Sequence, residues 1–258
     1  MKYLKADSYR VISSWKFYVG ILMSAFICLI SAWGYYGGSV INGFHYMSWR
    51  STYTLVYALA AVPFAGVFIE DEAHKFYNLF VLRGSLKKYV WSKVFVCFFS
   101  SVLVVGFGSL LCCFLVHIKL PWSNLDADRQ GAYEMYTCFG FLLKQNLLPL
   151  YIFCYASMRG LLAGILSVLS QWLSLYAENQ LFAVALPMSA YYFLINILPE
   201  PLNIYDIFEA SVNMVDSVAL KIPIALFVSA VSVLLLEYLI EKKLSKEILG
   251  REKKGGEK

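Results

Sequence analysis

Charge is what this sequence has least of. Only 15% of its 258 residues are Asp, Glu, Lys or Arg, against roughly a quarter in soluble domains. With 60% apolar and 17% aromatic residues and a mean hydropathy of +0.63, this leaves no room for a sizeable soluble domain and implies an integral membrane protein. A phosphate-cradling G-x-x-x-x-G-K-[ST] loop is missing, so the DEAH letters at Asp71–His74 are an accident and not a helicase signature. There is no G-x-S-x-G, and the S-x-x-K matches at Ser13–Lys16 and Ser85–Lys88 have no S-D-N or K-T-G to accompany them. His74 has no histidine four residues away, and His45 and His117 belong near the opposite membrane face. Glu70, Asp71, Glu72 and His74 are therefore not read as a metal site. The six cysteines show no C-x-x-C spacing, and five lie in apolar runs; they read as small packing residues. The net charge of +5 is no nucleic-acid footprint, because the bases gather at the edges of apolar runs. No clean A-x-A site follows the first such run, which reads as a retained span that also targets the chain.

What is present is a series of apolar runs separated by short polar links. Residues 1–16 place Leu4, Tyr9, Val11, Ile12 and Trp15 on one side of a helix and Lys2, Lys5, Asp7 and Arg10 elsewhere, the pattern of an interfacial helix. Six spans follow in a body covering residues 17–240: about 17–35, 51–69 with Pro63 as a kink, 89–117, 147–177, 180–198 and 222–240. The linker 34–50 is rich in glycine and aromatics, residues 138–146 form a short interfacial helix with Lys144, and residues 199–221 carry four acids among apolar residues. Residues 241–258 are a charged tail. The expected fold is an all-α membrane protein of one transmembrane domain, residues 1–258. Sixteen of the 22 Lys and Arg residues fall on the side of the two termini, five on the other and Arg159 within a span. This bias puts both termini in the cytoplasm.

Arg159 is the one charge placed deep in a span. Such a residue is expensive and should face protein, water or a partner, so it is a candidate either for a substrate path or for an intramembrane pair. Gly160, Ala163 and Gly164 after it suit close helix packing. Glu237 lies one turn before Glu241 and is expected to pair with the basic tail. No carboxylate pair falls within a span, which weighs against an intramembrane enzyme and against ion-coupled transport.

The polar link between spans two and three is the most informative stretch. Glu70, Asp71 and Glu72 lead it and Lys75, Arg83, Lys87, Lys88 and Lys93 follow, an order that suits a short helix dipole. Phe76, Tyr77, Leu79, Phe80 and Val81 make an aromatic-aliphatic face too short to span. Arg83-Gly84-Ser85, Lys88-Tyr89 and Ser92-Lys93 then open span three. Together with Ser174, Leu175, Asn179, Ala183 and Pro187 further on, this arrangement resembles the ABC-2 type permease family over nearly the whole chain. The resemblance implies a membrane subunit of an ATP-binding-cassette exporter in the bacterial plasma membrane, surrounded by lipid. Residues 75–82 would be a coupling helix docked on a separate ATPase subunit, with Glu70, Asp71, Glu72, Lys75, Phe76, Tyr77, Leu79, Phe80 and Arg83 carrying that contact. Two permeases, alike or unlike, would pair. ATP and Mg would bind the partner ATPase, and this chain would itself have no catalytic or metal site. The absence of a large outer domain argues against lysis-type and lipoprotein-release exporters, and the apolar walls fit an amphiphilic cargo. The alternatives are a non-transporting immunity or sensor subunit and, behind it, an intramembrane enzyme.

Overall fold

The computed structural model describes residues 2–35, 38–73, 85–123, 130–176, 180–197, 204–211 and 218–255. Among them there is no strand beyond an isolated bridge between Thr137 and Ser211. The helices are α1 (Lys2–Ile12), α2 (Trp15–Ser31), α3 (Val40–Ser48), α4 (Leu55–Ala61) after a 3-10 turn at Ser51–Thr54, and α5 (Val67–Ala73). Then come α6 (Leu86–His117), α7 (Gln130–Tyr136), α8 (Gly140–Lys144), α9 (Leu148–Leu173), α10 (Gln180–Ile197), α11 (Ile204–Phe208) and α12 (Val218–Gly255).

Among the described residues, three helices are long and apolar enough to cross a membrane: α6, α9 and, within α12, Leu220–Lys246. The α1–α2 pair makes a fourth candidate if its 54° bend is counted within one span. The chain is thus all-helical and built for a membrane. The stretch expected to be a kinked second span is more than kinked. Residues 62–66 are a run of turns between α4 and α5, where Pro63 offers no N–H to continue the ladder and Gly66 holds no helix. The fifth apolar run forms α10, with Pro187 inside it.

The centre of the molecule is the crossing of α6 and α9, the most extensive helix pair in the fold. It is close because α9 presents glycines there. A Cβ on Gly160 would lie 3.0 Å from the Val102 backbone, and one on Gly164 would lie 2.6 Å from the Phe98 ring. Close approach of two backbones is how helices associate when lipid is as apolar as their side chains, and the small residues after Arg159 do this work. Around the pair stand α2, α4 and α12. In α9 and α6, 67% and 61% of the spanning window is buried, but in α12 only 22%. Phe227, Leu234 and Leu235 of α12 face outward, so this helix lies at the rim.

Two short helices are packed differently from their sequence pattern. On α1, Asp7 and Val11 turn inward while Tyr9 and Ile12 are exposed, as is Trp15 at the start of α2. Its polar side grips the protein and much of its apolar side looks out, as it would toward lipid. Ser14 caps α2, its hydroxyl accepting from the Lys16 N–H at 3.3 Å, and sets the bend between the two helices. The glycine-rich linker after α2 contains α3, capped by Ser39. Seven of its nine residues are buried, among them Ile41, Phe44, His45 and Met47. The stretch read as a linker is a wedge in the core.

Candidate functional site

Two buried ion networks sit at different levels of the bundle. The first joins α1, α5 and α6. Lys93 lies 2.8 Å from Asp7 and 3.0 Å from Asp71, and its ammonium also stands over the Phe64 and Tyr89 rings. Asp71 takes further bonds from Arg10 at 2.7 Å and from the Tyr89 hydroxyl at 2.7 Å. Glu70 accepts from Arg10 at 2.9 Å and from Lys16, while the Ser92 hydroxyl donates to Asp7. Asp71 and Lys93 are both nearly inaccessible, so each needs the other. Burial by itself pushes the Asp71 carboxyl up. The Lys93 charge and the bonds from Arg10, Tyr89 and Lys93 outweigh it and hold the group below the ordinary carboxylate range. A depressed carboxylate stabilises the fold at neutral pH and loses that contribution as the pH falls through its folded value.

This network fixes Glu70 and Asp71, two residues expected to serve the ATPase contact, in the final helix before residues 74–84. Glu72 belongs to the same helix. Lys75, Phe76, Tyr77, Leu79, Phe80 and Arg83 lie outside the described residues.

The second network surrounds Arg159. This residue stands eleven positions into α9, about 16 Å along the axis, and is 1% exposed. Its guanidinium donates to Glu209 Oε1 at 3.0 Å and to the carbonyl of Ser48 at the end of α3. The same group lies over the Tyr53 and Tyr155 rings at 5.3 and 5.6 Å. Lys221, at the start of α12, is 1% exposed and donates to the backbone carbonyls of Glu209 and Ser211. Cys138 N–H donates to the Ala210 carbonyl at 2.8 Å. The segment 209–211, α3 and α12 are thereby tied to the middle of α9. Arg159 thus has a buried ion-pair partner in Glu209.

Beside the ion pair lies a tyrosine cluster. The rings of Tyr57 and Tyr191 are 5.8 Å apart, from α4 and α10 respectively, and both hydroxyls are buried with no hydrogen-bond partner among the described residues. Buried hydroxyls without partners are costly, so this cluster is where the fold leaves polar capacity unused. His45 completes the other side. It stacks on Tyr133 at 3.9 Å, and its Nε2 lies 2.9 Å from the Tyr151 hydroxyl, which in turn reaches Thr137. Burial, and after it the charge of Arg159, depresses the His45 imidazole from 6.5 to about 3.

That shift has a measurable consequence. Between pH 6.5 and about 3 the unfolded chain binds a proton at His45 that the folded chain refuses. Stability from this residue is therefore complete above pH 6.5 and declines on acidification, by up to ~1.4 kcal/mol per pH unit. Thermal unfolding of the wild type and of His45→Gln, compared between pH 7 and pH 5, should show the smaller acid loss in the variant. Equal losses would mean that His45 is open to protons in the folded state.

Sequence reasoning marks Arg159 as a charge that must be accommodated inside the protein, and the structure buries it against Glu209; it assigns Glu70 and Asp71 to an ATPase contact and does not foresee their ion pairs with Arg10, Lys16 and Lys93. It misses Glu209, Lys93, Asp7 and His45 as partners. Glu209 carries a signal in retrospect: it is an acid enclosed by Ile207, Phe208 and Ala210. The Glu237 Oε1 is buried with no hydrogen bond among the described residues. All six cysteines are free thiols, five of them buried. Among the described residues no group of three His, Cys, Asp or Glu side chains could hold a metal ion. No family model, curated protein or solved structure matches the chain.

Proposed function

We propose that this chain is the membrane-spanning permease subunit of an ATP-binding-cassette exporter. It moves an amphiphilic substrate outward with ATP hydrolysed by a separate ATPase chain. The observation that carries this reading is the ion cage of Asp7, Arg10, Lys16, Glu70, Asp71 and Lys93. A docking element can drive transport only if its base is stiff. Residues 74–84 follow α5, whose Glu70 and Asp71 are clamped to α1, α2 and α6, so a push on that segment is delivered to the spans. The sequence pattern from Glu70 to Lys93 supports the same assignment.

In this reading the bundle has six spans with both termini in the cytoplasm. Residues 51–69 form a broken second span and α10 the fifth. Residues 75–82 dock on the ATPase, which binds ATP and Mg, and two permeases, alike or unlike, pair in the bacterial plasma membrane. The Arg159–Glu209 pair locks the middle of α9 to the segment after α11.

The test is co-purification. The tagged chain, extracted in mild detergent from its native host, should bring down an ATPase, and Phe80→Asp should lose it while keeping its own yield and unfolding temperature. A stable chain that recovers no ATPase, under conditions that preserve a control exporter, would overturn the proposal.

A further inference from the structure

Between the end of α2, one face of α3 and the last turns of α6 lies a cavity of about 260 Å3. Its walls include Ala32, Phe44, Met47, Cys112, Cys113 and Val116. The wall is predominantly apolar. Ordered water needs two to four polar partners. The Tyr35 hydroxyl already donates to the Ser39 carbonyl at 3.2 Å, and the Cys112 thiol lies against the Met47 sulfur. An apolar cavity of about 150 Å3 already accepts a benzene ring, and this one is larger and open on one side. Trp33, on the cavity wall, is 82% exposed, and Phe114, Leu115 and Ile118 are exposed on the adjoining turns of α6. An exposed tryptophan at the end of a membrane helix marks the interface with headgroups. The mouth therefore opens from a lipid-facing surface at that depth.

We infer that this cavity is a seat for one acyl chain of a phospholipid from the leaflet at the α3 end of the bundle. The tail enters beside Trp33 and runs along Met47, Cys113 and Val116, while the headgroup stays at the level of the tryptophan. Such a lipid wedges α3 against α2 and α6. Because α3 also carries His45 and the Ser48 carbonyl that binds Arg159, the tail supports the same helix that holds the ion pair. The inference rests on membrane placement and not on the exporter reading.

The full chain can be reconstituted in phosphatidylcholine–phosphatidylglycerol vesicles containing a phosphatidylcholine with a photoreactive diazirine in its acyl tail. After irradiation, adducts are mapped by peptide mass spectrometry. Met47 and Cys113 are only 1% and 2% exposed, so lipid flowing around the protein does not reach them. Adducts on these two residues are the expected result, alongside general labelling of exposed residues such as Phe227 on α12. In Val116→Phe, which narrows the cavity, the Met47 and Cys113 adducts should fall at least five-fold while Phe227 labelling is unchanged. A wild-type measurement needs no variant to fold: phospholipid added to delipidated protein should slow ethyl methanethiosulfonate modification of Cys113 by about the same factor. Adducts confined to exposed residues would overturn the inference, as would labelling of Met47 by a free diazirine alkane but not by the phospholipid. So would full Met47 labelling in a folded Val116→Phe chain.

Discussion

Arg159→Met should lower the thermal unfolding midpoint by roughly 10 °C. The substitution keeps the volume and apolar stem of the side chain but leaves Glu209, buried and 3.0 Å away, with no guanidinium. Removing one partner of a buried ion pair costs about 3–5 kcal/mol, and for a chain of this size each kcal/mol is worth about 2–4 °C. The Ser48 carbonyl loses its donor as well, and the Tyr53 and Tyr155 rings lose the cation between them. The double variant Arg159→Met/Glu209→Gln should recover part of the loss, because the stranded charge is gone. Arg159→Lys should lie between wild type and Arg159→Met, since an ammonium restores the charge but cannot reach both Ser48 and Glu209 in a planar fork. Thermal unfolding in one detergent, followed by tryptophan fluorescence, measures all four. If the single and double variants unfold at the same temperature, the pair contributes nothing as a pair.

Lys93→Met should produce the second large effect, at the other network. It leaves two buried carboxylates, Asp7 and Asp71, without the cation that stands between them. Arg10 still holds Asp71 and Ser92 still holds Asp7, so the loss should be about 3 kcal/mol, the lower end of the range for a broken buried pair. The same variant should loosen α1, whose attachment to α6 depends on Asp7. Proteolysis near Ser13-Ser14 should therefore speed up by more than the change in global stability accounts for. Adding Asp7→Asn removes one stranded charge and should restore part of the stability but not the attachment. A double-mutant cycle separates the two effects. Protease resistance equal to wild type in Lys93→Met would show that α1 is held by its apolar contacts, through Val11 and Leu4, and not by charge.

Long apolar helices were legible because their information is local. Leu86–His117 and Leu148–Leu173 match the sequence spans to within a few residues, and the glycines after Arg159 could be recognised as a packing surface from spacing alone. The cost of a cation in the bilayer also correctly marked Arg159 as a residue that must have a partner. Its identity was not local. Glu209 lies 50 residues away, and although its apolar neighbours Ile207, Phe208 and Ala210 hint at burial, nothing in a linear pattern pairs it with Arg159. The same holds for α3: Gly43 and the aromatics around it read as a linker, because a nine-residue helix is too short to announce itself and its burial depends on walls from α6 and α9. For α1 the period was visible and the direction was not. An apolar face normally points to the core, but beside a membrane it has an alternative solvent, and Asp7 and Arg10 found their partners inward.

The distance in sequence between Arg159 and Glu209 has a further consequence, for the newborn chain. At about 5–20 residues per second, Glu209 is made roughly 3–10 s after Arg159. Through that interval α9 carries its cation into the bilayer without the carboxylate that later neutralises it, at a cost of about 2.5–3.5 kcal/mol on insertion scales. The groups already synthesised are the Ser48 carbonyl and the Tyr53 and Tyr155 rings. The early half of the protein thus serves α9 as a provisional chaperone, and Glu209, arriving last, makes the assembly permanent.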